Sequence, residues 1–190
     1  QTSLPQFGGI PFLSRPILPK YRNSVPIMDH TVKSDTRYSL DDADRRILSA
    51  LQRDSTLSVQ TLAELAQMSP SPCWRRVKAL REAGVIRAEV ALLDRRRVGM
   101  PTLAYIHLSL IDHSEATIRK LDDFTQRHDR IVECATITGA DDYMIKVMAR
   151  DPEDLERFLM RDLLALGVVR SSTTHFVLRQ TKYTTAVPLD

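Results

Sequence analysis

Between residues 43 and 84 the apolar side chains return every three or four positions, and beyond residue 100 stretches of period two alternate with stretches of period three to four. The first region predicts three short helices. Ala43, Ile47, Leu48 and Leu51 form one apolar stripe, preceded by Asp41 as N-cap and Asp44 at N3, where a carboxylate meets the positive end of the helix dipole. The polar run Asp54-Ser55-Thr56 ends this helix. Ser58 caps a second, with Leu62, Ala63, Leu65 and Ala66 facing inward, and Gln67-Met68 makes a short turn. Ser69 caps a third helix, and Pro70 takes N1, where its missing N–H costs nothing. Cys73, Val77 and Leu80 lie at i, i+4, i+7 on its inner face, and Gly84 supplies a left-handed stop.

The second region alternates. Residues 85–93 (Val-Ile-Arg-Ala-Glu-Val-Ala-Leu-Leu) predict a strand, followed by a hinge over 94–100. Thr102–Leu110 alternates, with Ala104, Ile106, Leu108 and Leu110 on one face. Ser114 opens a helix with Ile118, Leu121 and Phe124 inside. Strands follow over Ile131–Thr138 and Tyr143–Ala149, joined by the turn Gly139-Ala140-Asp141-Asp142. Asp151 caps the next helix, Pro152 is N1, Glu153 and Asp154 suit the first turn, and Leu155, Phe158, Leu159 and Leu163 carry the apolar face. Gly167 closes it, and Val168–Leu178 is the last strand. The order βαββαβ is the split-βαβ, ferredoxin-like arrangement, with both helices on one sheet face. The other face needs cover, and a second subunit is the economical one. The expected class is therefore α+β: an N-terminal winged helix-turn-helix domain over 40–93, a hinge over 94–100, and a ferredoxin-like domain over 101–190.

Residues 1–39 break both patterns. They hold five prolines (Pro5, Pro11, Pro16, Pro19, Pro26) of the chain's ten, with Gly8-Gly9, so a disordered tail is expected. Met28 is a plausible true start. The alternative is a basic arm that touches DNA phosphates. No apolar run approaches about 18 residues, so no membrane helix is expected. Two cysteines, Cys73 and Cys134, make no disulfide framework, and a reducing cytoplasm is the simpler setting.

Net charge sharpens the division. The whole chain carries +3. The tail holds +3, residues 40–94 are neutral, the Arg95–Arg97 run adds +3, and residues 98–190 hold −3. Within the neutral segment the third helix concentrates four cations (Arg75, Arg76, Lys78, Arg81) and, from Ser69 to Arg81, no acid. With Cys73, Val77 and Leu80 filling the inner face, the cations are expected to point outward. A rod with an apolar back and a cationic front fits the major groove of double-stranded DNA. Ser71 and Arg75, near the helix start, suit base edges; Arg76, Lys78 and Arg81 suit phosphates; Ser69 leaves the helix start aimed at a phosphate. Trp74 is expected partly buried at the helix edge, with base stacking as the other reading. Cys73 reads as a small core hydrophobe, with a redox sensor as the other reading. Arg95–Arg97 reads equally as a solvated linker or a phosphate contact. The histidines show no metal spacing, so no metal and no catalytic residue is assigned.

These segments resemble a known family. Leu40-Asp41-Asp42-Ala43-Asp44-Arg45-Arg46-Ile47-Leu48 is similar to the opening helix of the Lrp/AsnC (feast/famine) transcriptional regulators. Met68-Ser69-Pro70-Ser71-Pro72-Cys73-Trp74-Arg75-Arg76-Val77 resembles their recognition-helix signature, and Thr138-Gly139-Ala140-Asp141-Asp142-Tyr143 their Gly-x-x-Asp-Tyr effector turn. The resemblance covers about residues 40–187 in one register. It implies sequence-specific DNA binding, a homodimer built through the βαββαβ domains that assembles further (an octamer is plausible), and a small amino-acid effector. It places the effector on Thr138, Gly139, Asp141, Asp142 and Tyr143, with Ser172 and Thr174 on the last strand as weaker candidates. Asp142 would take the ammonium and backbone N–H groups of the Gly139 turn the carboxylate; the plain alternative is a hairpin turn. Ala140 departs from the acid that often follows the family's glycine. Pro72-Cys73-Trp74-Arg75-Arg76 and Lys182–Pro188 resemble cysteine-responsive members, which implies L-cysteine as effector. No cofactor is implied beyond the effector, and the setting is the cytoplasm of a bacterium or archaeon, on the nucleoid. Two other readings of the architecture stand beside this one: a siroheme-decarboxylase-like enzyme, and a DNA-architectural protein without a ligand.

Overall fold

The computed structural model of the protein describes residues 38–189. The expected disordered tail and its basic arm fall almost wholly on residues 1–37, outside the described residues. Three helices come first: α1 (Asp42–Leu51), α2 (Val59–Leu65) and α3 (Pro70–Glu82). The local signals act as expected at α1 and α2. Asp41 accepts from the Asp44 N–H at 2.8 Å while the Asp44 side chain accepts from the Asp41 N–H, a reciprocal capping box. Ser58 accepts from the Thr61 N–H at 3.1 Å. Ile47, Leu48, Leu62, Ala63, Ala66, Cys73, Val77 and Leu80 close one small core. Leu65, expected inside, is 54% exposed. It lies at the C-terminal end of α2, on the flank of the stripe that Leu62, Ala63 and Ala66 turn to the core.

The strand expected over 85–93 is not formed. Only Val85 and Ile86 pack on the helical core, while Val90, Leu92 and Leu93 stay exposed. A strand needs a ladder partner for its N–H and C=O groups, and no described segment pairs with this one. The hinge is a folded turn instead. Asp94 Oδ1 accepts from the Arg96 N–H at 2.9 Å, Met100 N–H donates to Arg95 O at 2.8 Å, and Arg95 reaches the Pro101 carbonyl. Gly99, at φ +81°, makes the left-handed step this turn needs.

The second core sits under a four-stranded antiparallel sheet: β1 (Thr102–Leu110), β2 (Ile131–Thr136), β3 (Tyr143–Ala149) and β4 (Val169–Phe176), in the order β2-β3-β1-β4. Both α4 (Glu115–Arg127) and α5 (Pro152–Phe158) cover one face. There Ala104, Ile106, Leu108 and Leu110 of β1 meet Ile145, Val147 and Ala149 of β3, Leu121 and Phe124 of α4, and Leu155, Phe158 and Leu163. This is the expected ferredoxin-like class. The strand ends fall short of the alternating runs: β2 stops at Thr136 and β4 covers Val169–Phe176. Beyond α5 the helix widens into a π turn at Leu159–Leu163 and tightens into one 3₁₀ turn before Gly167, which is left-handed at φ +74°. The C-terminal segment runs back to the helical unit. Gln52 Nε2 donates to Val187 O at 3.1 Å and Gln52 Oε1 accepts from the Val187 N–H at 2.6 Å, and Leu189 packs against the helical core.

Asp154 of α5 is a buried carboxylate, 1% exposed. Hydrogen bonds from the Arg150 guanidinium and then the Arg150 N–H, joined by Arg130, hold its carboxyl well below the usual carboxylate range. A depressed folded value means the stabilisation is complete above about pH 4, the unfolded value, and is lost as pH falls toward the folded one. Asp154→Asn should therefore lower Tm by a constant amount above about pH 5, and the gap to wild type should narrow as pH falls from about 4 toward 2. Thermal melts across that range check it; a gap independent of pH would overturn it.

Both cysteines behave as hydrophobes. Burial raises the Cys73 thiol, and burial, reinforced by Asp122, pushes Cys134 up to about 11, so neither is a thiolate at neutral pH. Among the described residues no helix is long and apolar enough to cross a membrane, and no three His, Cys, Asp or Glu side chains gather as a metal site.

Candidate functional site

Two constellations carry chemistry. The first is the exposed face of α3. Cys73, Val77 and Leu80 are buried, which turns Ser71, Arg75 and Lys78 to the opposite face, all exposed. The Arg75 side chain has no ion pair or hydrogen bond among the described residues. Lys78 lies 3.7 Å from Glu82 and 5.7 Å over the Trp74 ring. Arg81 pairs with Glu89. Trp74 is 53% exposed, more open than its sequence position suggested.

Two expectations for this helix change. Arg76 does not point outward. Its Nη1 reaches Asp41 Oδ2 at 2.7 Å and Asp44 Oδ1 at 2.9 Å, so it ties α3 to the capping box of α1. The charge is attracted across the core by two acids that sequence spacing places 32 and 35 positions away. Asp41 is held below the usual carboxylate range by the Asp44 N–H first and by Arg76 next. Ser69 holds the N-cap position with extended backbone, but its hydroxyl makes no cap bond. The N3 residue that should donate to it is Pro72, which has no N–H. Pro70 lacks one too, and the Cys73 N–H is already given to Ser69 O at 3.2 Å. The start of α3 therefore offers an anion the Ser71 N–H and two hydroxyls rather than a full ring of donors.

The second constellation is the β2–β3 turn. Gly139 has φ +129°, a backbone that side chains rarely adopt. The N–H groups of Thr138, Gly139, Ala140 and Asp141 find no acceptor among the described residues, while Asp142 N–H donates to Leu108 O at 2.8 Å. Four consecutive backbone donors are thus left available to an anion. The two acids that follow are anchored differently. Asp142 accepts from the Leu110 N–H at 2.7 Å and meets His113 Nε2 at 2.9 Å; the Leu110 bond first, then His113, lowers its carboxyl below the ordinary range. Asp141 accepts from Ser109 Oγ at 3.2 Å and sits 3.3 Å from His107 Nδ1. Ser109 and His107 alternate with the core positions of β1, so this carboxylate serves the sheet face that the helices leave open.

The remaining expected residues divide. Thr138 and Gly139 are exposed beside the two acids. The Tyr143 ring enters the helix-covered core, where burial raises its hydroxyl. Ser172 and Thr174 stand opposite Leu108 and Ile106, which puts them on the helix-covered side rather than with Asp141. Ser171 and Thr173 pair with Ser109 and His107 and share the open face. His107, Ser109 and His175, whose ring lies 5.2 Å from that of His107, complete this polar group. Period-two alternation in β1 already marked His107 and Ser109 as the polar partners of Ile106 and Leu108.

A larger hollow of about 990 Å³ opens on the same face, between the hinge, the sheet and the C-terminal segment. Lys146 stands in it, 5.7 Å over Tyr105 and 5.6 Å over Tyr183.

Comparisons with known proteins follow this division. The family model described as Lrp/AsnC ligand binding domain matches residues 103–187, and the one described as winged helix-turn-helix DNA-binding matches residues 40–87. The chain is 30% identical to the DNA-binding transcriptional activator DecR of Escherichia coli over 80% of this chain and 99% of the relative. It is 32% identical to the transcriptional regulator AzlB of Bacillus subtilis over 80% and 96%. A transcriptional regulator of Neisseria meningitidis solved as its L-Met complex superposes with TM-score 0.77 at 31% identity, over 80% of this chain and 98% of that one. An AsnC family regulator from Agrobacterium tumefaciens superposes with TM-score 0.75 at 34% identity, over 78% and 97%.

Proposed function

The chain belongs to the Lrp/AsnC family of transcriptional regulators, and from that premise we propose that it is a DNA-binding regulator whose action is set by an amino acid bound in its ferredoxin-like domain. The observation that carries the reading is the exposed Ser71–Arg75–Lys78 face of α3, linked in one chain to the available backbone donors of the Gly139 turn. In this reading residues 40–93 meet DNA, 94–100 articulate, and 101–190 sense and assemble. On the DNA side Ser69, Ser71, Arg75, Lys78 and Arg81 make the contacts, and Arg76 supports them from within. On the effector side the N–H groups of 138–141 hold the carboxylate and Asp141 or Asp142 the ammonium. Asp141 is the better placed, since its contacts to Ser109 and His107, at 3.2 and 3.3 Å, are looser than those of Asp142 to the Leu110 N–H and His113, at 2.7 and 2.9 Å.

The open sheet face and the exposed apolar run Val90, Leu92, Leu93, Val98 call for a second copy, so the working unit is a homodimer able to assemble further. A DNA partner places the protein on the chromosome, in the cytoplasm. L-Cysteine is the effector favoured by the Pro72–Arg76 and Lys182–Pro188 segments, and the neighbour solved with L-Met makes sulfur amino acids the first class to try. The regulators among its relatives favour this reading over the enzyme.

A thermal-shift screen of the twenty amino acids, with cysteine kept reduced, tests it. A ligand at 100 times its Kd should stabilise the native state by about 2.7 kcal/mol. A shift with cysteine supports the finer reading; a shift with another amino acid alone removes cysteine and keeps the class. No shift with any, together with DNA footprints that ignore every amino acid, would leave the architectural reading instead.

A further inference from the structure

Away from both constellations, the C-terminal end of α4 and the face of α5 enclose a cleft of about 430 Å³. Arg127, Arg130, Arg150, Arg157 and Arg161 line it, against Asp129, Asp154 and Asp162. Five cations and three anions give the lining +2 (His128 neutral), and Arg127 is offset by its pair with Asp123 at 3.2 Å, which leaves a surplus of +1. The arginines are placed by two stretches of the chain. Asp154 and Arg157 lie on α5, Arg150 on the bend just before its N-cap Asp151, and Arg161 on the π turn that continues it. Arg127 and Arg130 come from the end of α4 and the approach to β2.

At the centre Asp154 receives three guanidiniums: Arg130 Nη1 at 2.9 Å, Arg150 Nη2 at 2.6 Å and Arg157 Nη2 at 3.3 Å. One buried carboxylate is balanced by one cation. Three leave a local surplus, and each guanidinium carries five N–H donors, most of them unspent here. Arg157 and Arg150 remain half exposed. Arg161, one turn further on, is exposed and has no ion pair among the described residues. Phe158 and His128, with ring centroids 5.8 Å apart, make a firm floor. The carboxylate thus sets several planar forks around one hollow, the geometry that recognises phosphate oxygens in pairs.

We propose that this cleft binds a compact phosphate-bearing anion, at a second site separate from the amino-acid turn. A free amino acid is a zwitterion with no net charge, so a positive surplus gives it little attraction. A small di- or polyphosphate matches both the charge and the volume. The DNA backbone is the competing source of phosphate, but a concave site closed on one side by α4 suits a small anion better than a continuous duplex.

Inorganic pyrophosphate is the probe, titrated calorimetrically into the full chain at constant ionic strength with sodium chloride as control. The expected result is saturable binding at one site per chain. Arg161→Gln and Arg157→Gln should each weaken it about tenfold, and Arg161→Gln should leave the unliganded Tm unchanged because that side chain holds nothing in place. Arg75→Gln should leave pyrophosphate binding untouched. Absence of saturable binding, equal binding by Arg161→Gln, or loss with Arg75→Gln would each overturn the proposal. If Arg157→Gln and Arg161→Gln instead weaken DNA binding and flatten its salt dependence while pyrophosphate does not bind, the cluster is a DNA-backbone contact and the small-anion site is refuted. None of these outcomes depends on which amino acid the Gly139 turn accepts.

Discussion

Arg75→Gln is expected to weaken binding to the specific operator about tenfold to a hundredfold, while Arg76→Gln chiefly lowers Tm. The two residues are neighbours in sequence and alike in charge, and the fold separates them. Arg75 projects from the face of α3 opposite Cys73 and Val77 and keeps its guanidinium unpaired among the described residues. A free planar fork near the start of a recognition helix can reach the paired acceptors of guanine, a contact that discriminates by about 1–3 kcal/mol. Arg76 spends its guanidinium on Asp41 and Asp44 at 2.7 and 2.9 Å. Losing it leaves the nearly buried Asp44 short of its counter-charge and loosens α1 on α3. Trp74, the only tryptophan in the sequence, sits on the same helix, so its emission supplies a direct binding readout. Titrations with specific and scrambled duplexes at one salt concentration separate the cases. Arg75→Gln should lose much more on the specific duplex, and a phosphate-only role would give equal losses on both. If the specific loss follows Arg76 instead, the orientation of α3 proposed here is wrong.

That contrast also shows what was readable in advance. The βαββαβ order and the core positions of β1 and β3 were legible because period two and period 3.6 are local properties, and burial of Ile106, Ile145 and Val147 is their direct consequence. The caps Asp41, Ser58, Ser114 and Asp151 were legible for the same reason. The failures share one cause: each depends on a partner distant in sequence, or on a group that is missing. Arg76 turned inward because of acids on another helix. Residues 85–93 have strand composition and no ladder partner among the described residues. Ser69 lost its cap bond to a proline three positions on, a detail present in the sequence but outweighed by its position before Pro70. At the candidate effector turn, the strand pattern gave only a hairpin over Gly139–Asp142, and the family resemblance singled out its residues. Only the register of β1 with β4 shows that Ser171 and Thr173, rather than Ser172 and Thr174, share the open face with Ser109 and His107, the partners of Asp141. The arginine cleft is not legible in the sequence because its residues come from the end of α4, the approach to β2, the bend after β3, α5 and the π turn, and because exposed arginines usually mark only a solvated face.

Phe158→Ala is expected to be the most destabilising of these substitutions, by about 3–5 kcal/mol. Phe158 is 1% exposed and stands where α5 meets the sheet. Its ring lies 6.0 Å from that of Phe124 on α4 and edge-on to His128. It therefore joins both helices to the core of Ile145, Val147 and Leu121. Removing the ring deletes a large apolar surface and opens a cavity that the neighbours are poorly able to fill. The backbone just beyond it is already committed to a π turn, and on the other side Asp154 is fixed by three guanidiniums. In a domain of this size that loss corresponds to a fall in Tm of more than about 10 °C. Phe158→Leu, which keeps most of the volume, should cost much less. The helical unit has its own core, sharing no buried residue with this one, so below the lowered transition α3 should still engage DNA. Calorimetric melts of the three proteins measure the first effect and Trp74 emission with duplex the second. A Phe158→Ala protein that melts like wild type would mean that α5 is held by something other than this ring. One that loses DNA binding while still folded would mean that the sheet and α3 are coupled more tightly than their separate cores imply, with the Gln52–Val187 contact as the route to examine.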